Sequence, residues 1–393
     1  AWSVTAGTTD VTVGVVDTGI YAEHPDLAGQ FWVNPGEDVN GNGVVDAADF
    51  NGVDDDGNGY VDDVRGYDFV DRPGALSEGE YTDPDPRPAP DPKGSGSGHG
   101  TAVAGVISAM PGNASYGAAG VAPRTQLVPL RAFGGDGRGA ADDIASAIFY
   151  AATMDVDVLN LSFGRARSVP LIEDAIEYAN AQGTVIVGSA GNEPTDEPHY
   201  PSDHPEVVSV IWFAEDGQGL PRVSQSQYGI GADVGAPGTN VFTTAYPRAS
   251  IRAEQSPPRQ DLYDTVNGSS FSAPQVAGAA ALLRSVADSL RPASIRSILT
   301  SSARDVGGEG WGHTTASGLL DVHRSVLNPL PSRIRIAQPD HNAGFRARGP
   351  VPVIGSVLHP SFERYTLYYA EGTQNLDARP DPWTEITGAT RTQ

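Results

Sequence analysis

An α/β fold with a mostly parallel central sheet flanked by helices is predicted by two features of the sequence. Short β-branched runs alternate with helical stretches over residues 1–328, and the strand candidates are largely apolar throughout instead of alternating. Val11 to Val16, Val156 to Leu161, Thr184 to Val187 and Val207 to Trp212 are the strand candidates, each short enough to cross one buried sheet. Helices are expected between them: Ile144, Ile148 and Ala152 recur at i and i+4, and Leu171, Ala175 and Tyr178 at i+4 and i+3. A further helix runs through Val276 to Val286 after a tight turn at Gly268. From Asn328 the texture changes. Ile334, Ile336, Val351, Val353, Val357, Tyr365, Leu367 and Tyr369 alternate between Pro and Gly turns, which predicts the start of a C-terminal β-sandwich module over 329–393. Three or four strands are fewer than a sandwich needs, so the chain is expected to stop inside that module at Gln393.

The 393 residues carry 49 acids against 25 bases, a formal charge of −24, which speaks against nucleic acid and anionic membrane as partners. The longest uncharged apolar stretch, Val276 to Leu283, falls far short of the roughly 20 residues of a transmembrane helix. With no cysteine, a disulfide scaffold, thiolate metal sites and thiol catalysis are all excluded. The chain opens on Ala1 and not Met, so a processed form or a fragment is expected, with any signal peptide or pro-segment outside it.

Residues 37–91 hold 16 acids against three arginines and mark residues 34–71 as an insertion, followed by a Pro/Gly/Asp-rich surface loop over 72–98. Two segments of the insertion have alternating oxygen ligands. Asp38, Asn40, Asn42, Gly43, Asp46 and Asp49 fall on positions 1, 3, 5, 6, 9 and 12 of a 12-residue calcium loop. Asp54, Asp56, Asn58, Gly59 and Asp62 repeat the first five. Arg65 stands at the twelfth position of the second loop, so Asp63 or a neighbouring segment would have to complete its shell. The alternative is a solvated acidic loop. Aspartates this dense repel one another unless a cation neutralises them, and calcium is the natural hard-oxygen choice.

Three glycine-flanked side chains could do chemistry. Asp17 ends the apolar run VTVGVVD, His99 opens the small-residue stretch HGTAVAG, and Ser270 lies in NGSSFSAP just before a helix. Each alone reads as a turn aspartate, a structural histidine or a helix cap. Their order Asp, His, Ser is one of the known triad orders. With DTGI and HPDL (Asp17 to Leu27), HGTAVAG (His99 to Gly105), GSSFSAP (Gly268 to Pro274), NLSFG (Asn160 to Gly164) and SAGNE (Ser189 to Glu193), the chain resembles subtilisin-type serine proteases, the subtilases, over residues 1–328.

The resemblance implies a three-layer subtilisin-like fold and a secreted serine endopeptidase that acts on proteins and peptides as a monomer. Carried over position by position, it implies Ser270 as nucleophile, His99 as general base and acid, Asp17 as the carboxylate that orients it, and Asn192 as an oxyanion donor. Gly137, Arg138 and Gly139, with Ser162, Phe163 and Gly164, match the two edges that hold the peptide as an added strand. Ser189, Ala190 and Gly191 match the lining of the primary pocket and Glu193 its rim, which implies broad specificity including large apolar side chains. Asp26 matches a further calcium ligand, whose partner loop Gly112 to Ala118 carries Ala114 where an asparagine is usual. Two other readings use the same residues: a silent calcium-binding adhesion protein, and a peptide ligase in which an amine intercepts the acyl-enzyme.

Overall fold

The computed structural model describes residues 1–70, 87–91, 94–112, 116–214, 225–247, 259–306, 310–327 and 329, and four short strands beyond them. Its strands are β1 Thr12–Asp17, β2 Tyr67–Asp68, β3 Gln126–Arg131, β4 Val158–Leu161, β5 Val185–Ser189, β6 Val207–Phe213 and β7 Val234–Pro237. They form one sheet in the order β2-β3-β1-β4-β5-β6-β7, parallel throughout. The helices are α1 His99–Ser108, α2 Ala141–Thr153, α3 Pro170–Gln182, α4 Ser269–Val286, α5 Pro292–Ser302 and α6 Val322–Leu327. The hairpin of β8 Val241–Thr244 and β9 Tyr263–Val266 stands apart from this sheet.

Residues of β1 show why the strands are apolar throughout. Val13 and Val15 join one core with α1, α4 and α5, while Val16 joins the other with α2 and α3. A strand covered on both faces has no position left for a polar side chain. The result is the expected three-layer α/β arrangement. The longest helix is α4, rich in alanine and packed against the sheet; at its Gly278 an added Cβ would lie 2.8 Å from Val121.

Two departures from the sequence reading have physical causes. The buried stripe of α3 is Ile172, Ala175, Ile176 and Ala179, so of the three side chains read from the spacing Ala175 faces inward while Leu171, 45% exposed, and Tyr178, 38% exposed, lie on its flanks. Pro170 in the first turn and Gly183 at φ 110° just past the last set its ends. Strand β3 was not foreseen because Pro129 sits at its centre, where a proline removes a ladder donor. Its pairing to β1 survives in full, from Thr12 opposite Gln126 to Asp17 opposite Arg131. On the other side Gly66, at φ 107°, passes so close to the Pro129 carbonyl that any Cβ would collide with it.

Beyond 329, β10 Arg333–Gln338 pairs antiparallel with β11 Ile354–Leu358, and β12 Tyr368–Tyr369 with β13 Thr384–Glu385. Val351, Val353, Tyr365, Leu367 and most of the 72–98 loop lie outside the described residues. Among the described residues no helix is long and apolar enough to cross a membrane.

Candidate active site and acidic insertion

Parallel strands all end at one edge of the sheet, and Asp17, Ser189 and the Ser162 that follows Leu161 stand there. Asp17 is buried, and the Nδ1 of His99 lies 2.9 Å from both of its carboxylate oxygens. One of those oxygens also accepts the Thr18 N–H at 2.7 Å. The second residue of α1, Gly100, explains the approach: a Cβ there would stand 2.4 Å from the Gly19 carbonyl and 3.1 Å from the Asp17 side chain. Burial pushes the His99 imidazolium down, yet the charge and hydrogen bond of Asp17 outweigh it and hold the ring above its ordinary value of 6.5.

Ser270 stands in the first turn of α4, and the ring of its neighbour Phe271 packs 5.4 Å from that of His99. Its hydroxyl donates to the Ser162 carbonyl at 3.2 Å, not to His99. The return bond, from the Ser162 hydroxyl to the Ser270 carbonyl at 2.9 Å, has a cause in the sequence. Pro274 falls four residues after Ser270 inside α4 and has no N–H to give that carbonyl. Ser162 supplies the missing donor and ties the end of β4 to the start of α4. Its hydroxyl also accepts from the buried Asn160 amide at 2.9 Å.

The Oδ1 of Asn192 accepts from the N–H of Ser269 at 2.9 Å and its hydroxyl at 3.1 Å. With the oxygen held this way, the exposed Asn192 keeps its NH₂ available to donate at the start of α4, close to Gly268. Gly191 donates to the Ser269 hydroxyl at 3.2 Å, which connects the SAGNE turn to the same helix start.

Of the two segments expected to flank a peptide, all residues but Ser162 line one cavity. Gly137, Arg138, Gly139, Phe163 and Gly164 share a largely apolar cavity of about 380 Å³ with Ile172. Ser189, Ala190 and Gly191 are buried and Glu193 is exposed, and none of the four lines that cavity. One residue escaped the sequence reading. A Cβ on Gly164 would fall 1.9 Å from the His199 ring and one on Gly191 would fall 3.0 Å from it, so the imidazole stands between the two pocket segments. Its Nδ1 lies 3.1 Å from the Ser202 hydroxyl, which itself donates to the His199 carbonyl. Burial lowers the His199 pKa below 6.5, so the ring is neutral at pH 7. Nothing in the HYP tripeptide itself signals this placement.

The acidic loops share one hydrogen-bond ladder. Asp38 accepts from the amides of Asn42 and Gly43, and Asp54 from those of Asn58 and Gly59. Asn40 and Asp56 then accept from the residue two places on, as do Asn42 and Asn58. The predicted ligands diverge after that. Asp46 accepts from the Asn40 and Asn42 amides, and Asp49 keeps Oδ1 fully buried without a partner. Asp62, at φ 56°, turns its carboxylate to the amides of Asn51 and Gly52, while Asp63 faces Asn58. An all-oxygen donor set with an orphaned buried carboxylate oxygen fits a hard cation. Asp26 is fully buried, and one of its oxygens accepts from the Ala118 N–H and the Tyr263 hydroxyl, both at 2.8 Å. Asn113 and Ala114 of its expected partner loop lie outside the described residues.

A parallel-sheet α/β protein with a carboxylate-bound histidine and a helix-start serine at the sheet's carboxyl edge defines a hydrolase-like class. Within that class the chain belongs to the subtilase family, whose profile (Peptidase_S8) matches residues 8–318. It is 30% identical over 346 residues to fervidolysin of Fervidobacterium pennivorans, an alignment covering 84% of this chain and 42% of fervidolysin. It is 29% identical over 328 residues to thermitase of Thermoactinomyces vulgaris, covering 83% of this chain and 91% of thermitase. The crystal structure of fervidolysin superposes with a TM-score of 0.64 at 27% identity, covering 85% of this chain and 44% of that one. The chain thus spans less than half the length of fervidolysin.

Proposed function

We propose that the protein is a secreted serine endopeptidase that hydrolyses peptide bonds through an acyl-enzyme on Ser270. The observation that supports this most is the His99 ring held 2.9 Å from the buried Asp17 carboxylate, beside the start of the helix that carries Ser270. That hydrogen bond fixes the proton on Nδ1 and leaves Nε2 as the base. For attack, the Ser270 hydroxyl turns from the Ser162 carbonyl to Nε2 of His99, an adjustment common between free and substrate-bound sites. Ser270 Oγ adds to the substrate carbonyl as Nε2 takes its proton. The oxyanion is met by the Ser270 N–H, one of the unpaired amides of a helix start, and by the Asn192 NH₂. His99 then protonates the leaving amine, and water repeats the cycle in reverse.

Substrate would lie as an extended strand between 137–139 and 162–164, its primary side chain in the pocket of Ser189, Ala190 and Gly191 under the Glu193 rim. Calcium, held by carboxylates and amides of the 38–62 insertion, would neutralise the densest negative charge of the chain and stiffen the loops without entering the reaction. Extracellular calcium would fill such loops, and the absence of cysteine and the family both suit export. Stoichiometric labelling by a fluorophosphonate tests the nucleophile: the expected adduct maps by peptide mass to Ser270 and is lost in Ser270→Ala. Labelling at another serine, or none in protein freed of any pro-segment, contradicts the reading.

A further inference from the structure

We propose that Glu37, Asp56 and Asp63 together bind one calcium ion, which fastens the second acidic loop to the entrance of the insertion and, through Asp63, to α2. The inference rests on the calcium reading of the insertion and changes its ligand set: Glu37 lies before both loops, and the spacing reading left Asp63 only as a stand-in for Arg65.

Among the described residues, one group of three carboxylates has oxygen atoms all within 4.8 Å of one another, and it is this one. Three atoms within 4.8 Å of one another share a point no more than about 2.8 Å from each, so carboxylates drawn inward by a few tenths of an ångström reach the roughly 2.3–2.6 Å at which one calcium ion touches all three. Proximity of acids alone would mean little on a chain this acidic. The independent sign is Glu37, a fully buried carboxylate whose Oε2 has no hydrogen-bond partner. Its other oxygen accepts the Asp55 and Asp56 amides at 2.7 and 3.2 Å, which anchors the carboxyl group on the second loop and leaves Oε2 for a ligand.

The other two carboxylates are bridged by neutral donors, the amides of Asn34 and Asn58. The Asn34 amide donates to Asp56 at 2.9 Å and to Asp63 at 3.2 Å. Asp63, also fully buried, accepts from the Tyr150 hydroxyl of α2 at 2.6 Å and from the Asn58 amide at 2.9 Å. No salt bridge to a described residue reaches any of the three, and the Arg65 guanidinium, two residues from Asp63, lies over the Phe31 ring instead. Among the described residues, none supplies a positive charge to this group. Oxygen donors without nitrogen or sulfur select a hard divalent ion.

The experiment uses the full chain in a Ser270→Ala background, which prevents self-digestion, stripped with chelator and titrated with calcium in a calorimeter. Terbium luminescence sensitised by Tyr60 and Tyr150, whose rings are 5.0 Å apart, reports this site in particular. Glu37→Gln and the exposed Asp56→Asn are each expected to weaken calcium at this site at least tenfold, with near-UV circular dichroism showing that both fold. Asp62→Asn, whose carboxylate serves the Asn51 and Gly52 amides, is expected to retain the affinity of the parent. In chelator Glu37→Gln should melt no lower than the parent, because it loses a like charge and no salt bridge; a merely structural glutamate would instead destabilise the metal-free protein. If the parent binds calcium and both Glu37→Gln and Asp56→Asn bind it unchanged, this ligand set is wrong and the loop reading survives. If the parent binds none, the calcium reading itself fails.

Discussion

Ser162→Ala is the most informative single change at the proposed site, because two groups depend on one hydroxyl. It removes the donor to the Ser270 carbonyl and the acceptor for the buried Asn160 amide. A buried or partly buried polar group left unpaired costs about 1–3 kcal/mol, so the two together should cost about 2–4 kcal/mol, less than their sum where water reaches the Ser270 carbonyl. The carbonyl needs Ser162 only because Pro274 cannot donate to it. Restoring an N–H by Pro274→Ala should therefore reduce the cost of Ser162→Ala by about 1 kcal/mol, the usual net value of one hydrogen bond. The assay is guanidinium unfolding of the four-member cycle, each member carrying Ser270→Ala so that no protease is present during equilibration. Equal costs of Ser162→Ala with and without Pro274 would refute the link between the proline and the serine.

Further outcomes follow from the same geometry. Asn192→Ala should lower kcat by about 10² to 10³ with little change in KM; that magnitude belongs to the oxyanion asparagine of subtilisin and not to a calculation on this site. The His99 pKa is raised by Asp17, so the base is switched on only as pH climbs past a midpoint above 6.5, and Asp17→Asn should move the kcat/KM midpoint down while lowering its plateau. The linked stability has the same sign: the His99–Asp17 pair stabilises the fold fully below the unfolded histidine pKa and loses that contribution as pH rises through the folded one. Because the His199 ring stands between Gly164 and Gly191, His199→Ala should raise kcat/KM for peptides with phenylalanine at the cleaved position relative to alanine by at least tenfold; an unchanged ratio places the ring outside the pocket.

Much of the fold was legible because apolar runs without alternation require a sheet covered on both faces, and Val13, Val15 and Val16 meet that requirement. Strand β3 was hidden by Pro129, whose place is permitted by a glycine 63 residues earlier in the chain, a long-range fact that no local pattern carries. Helix α3 showed Ala175 of its inner face but not the rest, since Leu171 is as apolar as the Ile172 and Ile176 that are buried. The proposed catalytic residues could be read from their glycine-rich settings, where Gly100 admits a close approach. His199 and Glu37 were invisible for a different reason: each owes its place to segments distant in the sequence, Gly164 for one and Asp56 for the other. The acidic spacing located two loops, but it carries no sign that Asp62 takes a left-handed backbone and faces Asn51 while Asp63 faces Asn58 and Tyr150.

The central claim is that Ser270 is the nucleophile of a peptide-bond hydrolase. Release of fragments from fluorescently labelled casein, measured for the parent and for Ser270→Ala at equal concentration in millimolar calcium, tests it most directly. The account predicts turnover by the parent and a loss of about 10⁶ in the variant, the figure known for the serine of subtilisin. Equal rates for the two proteins, with the parent folded and free of any pro-segment, would contradict it.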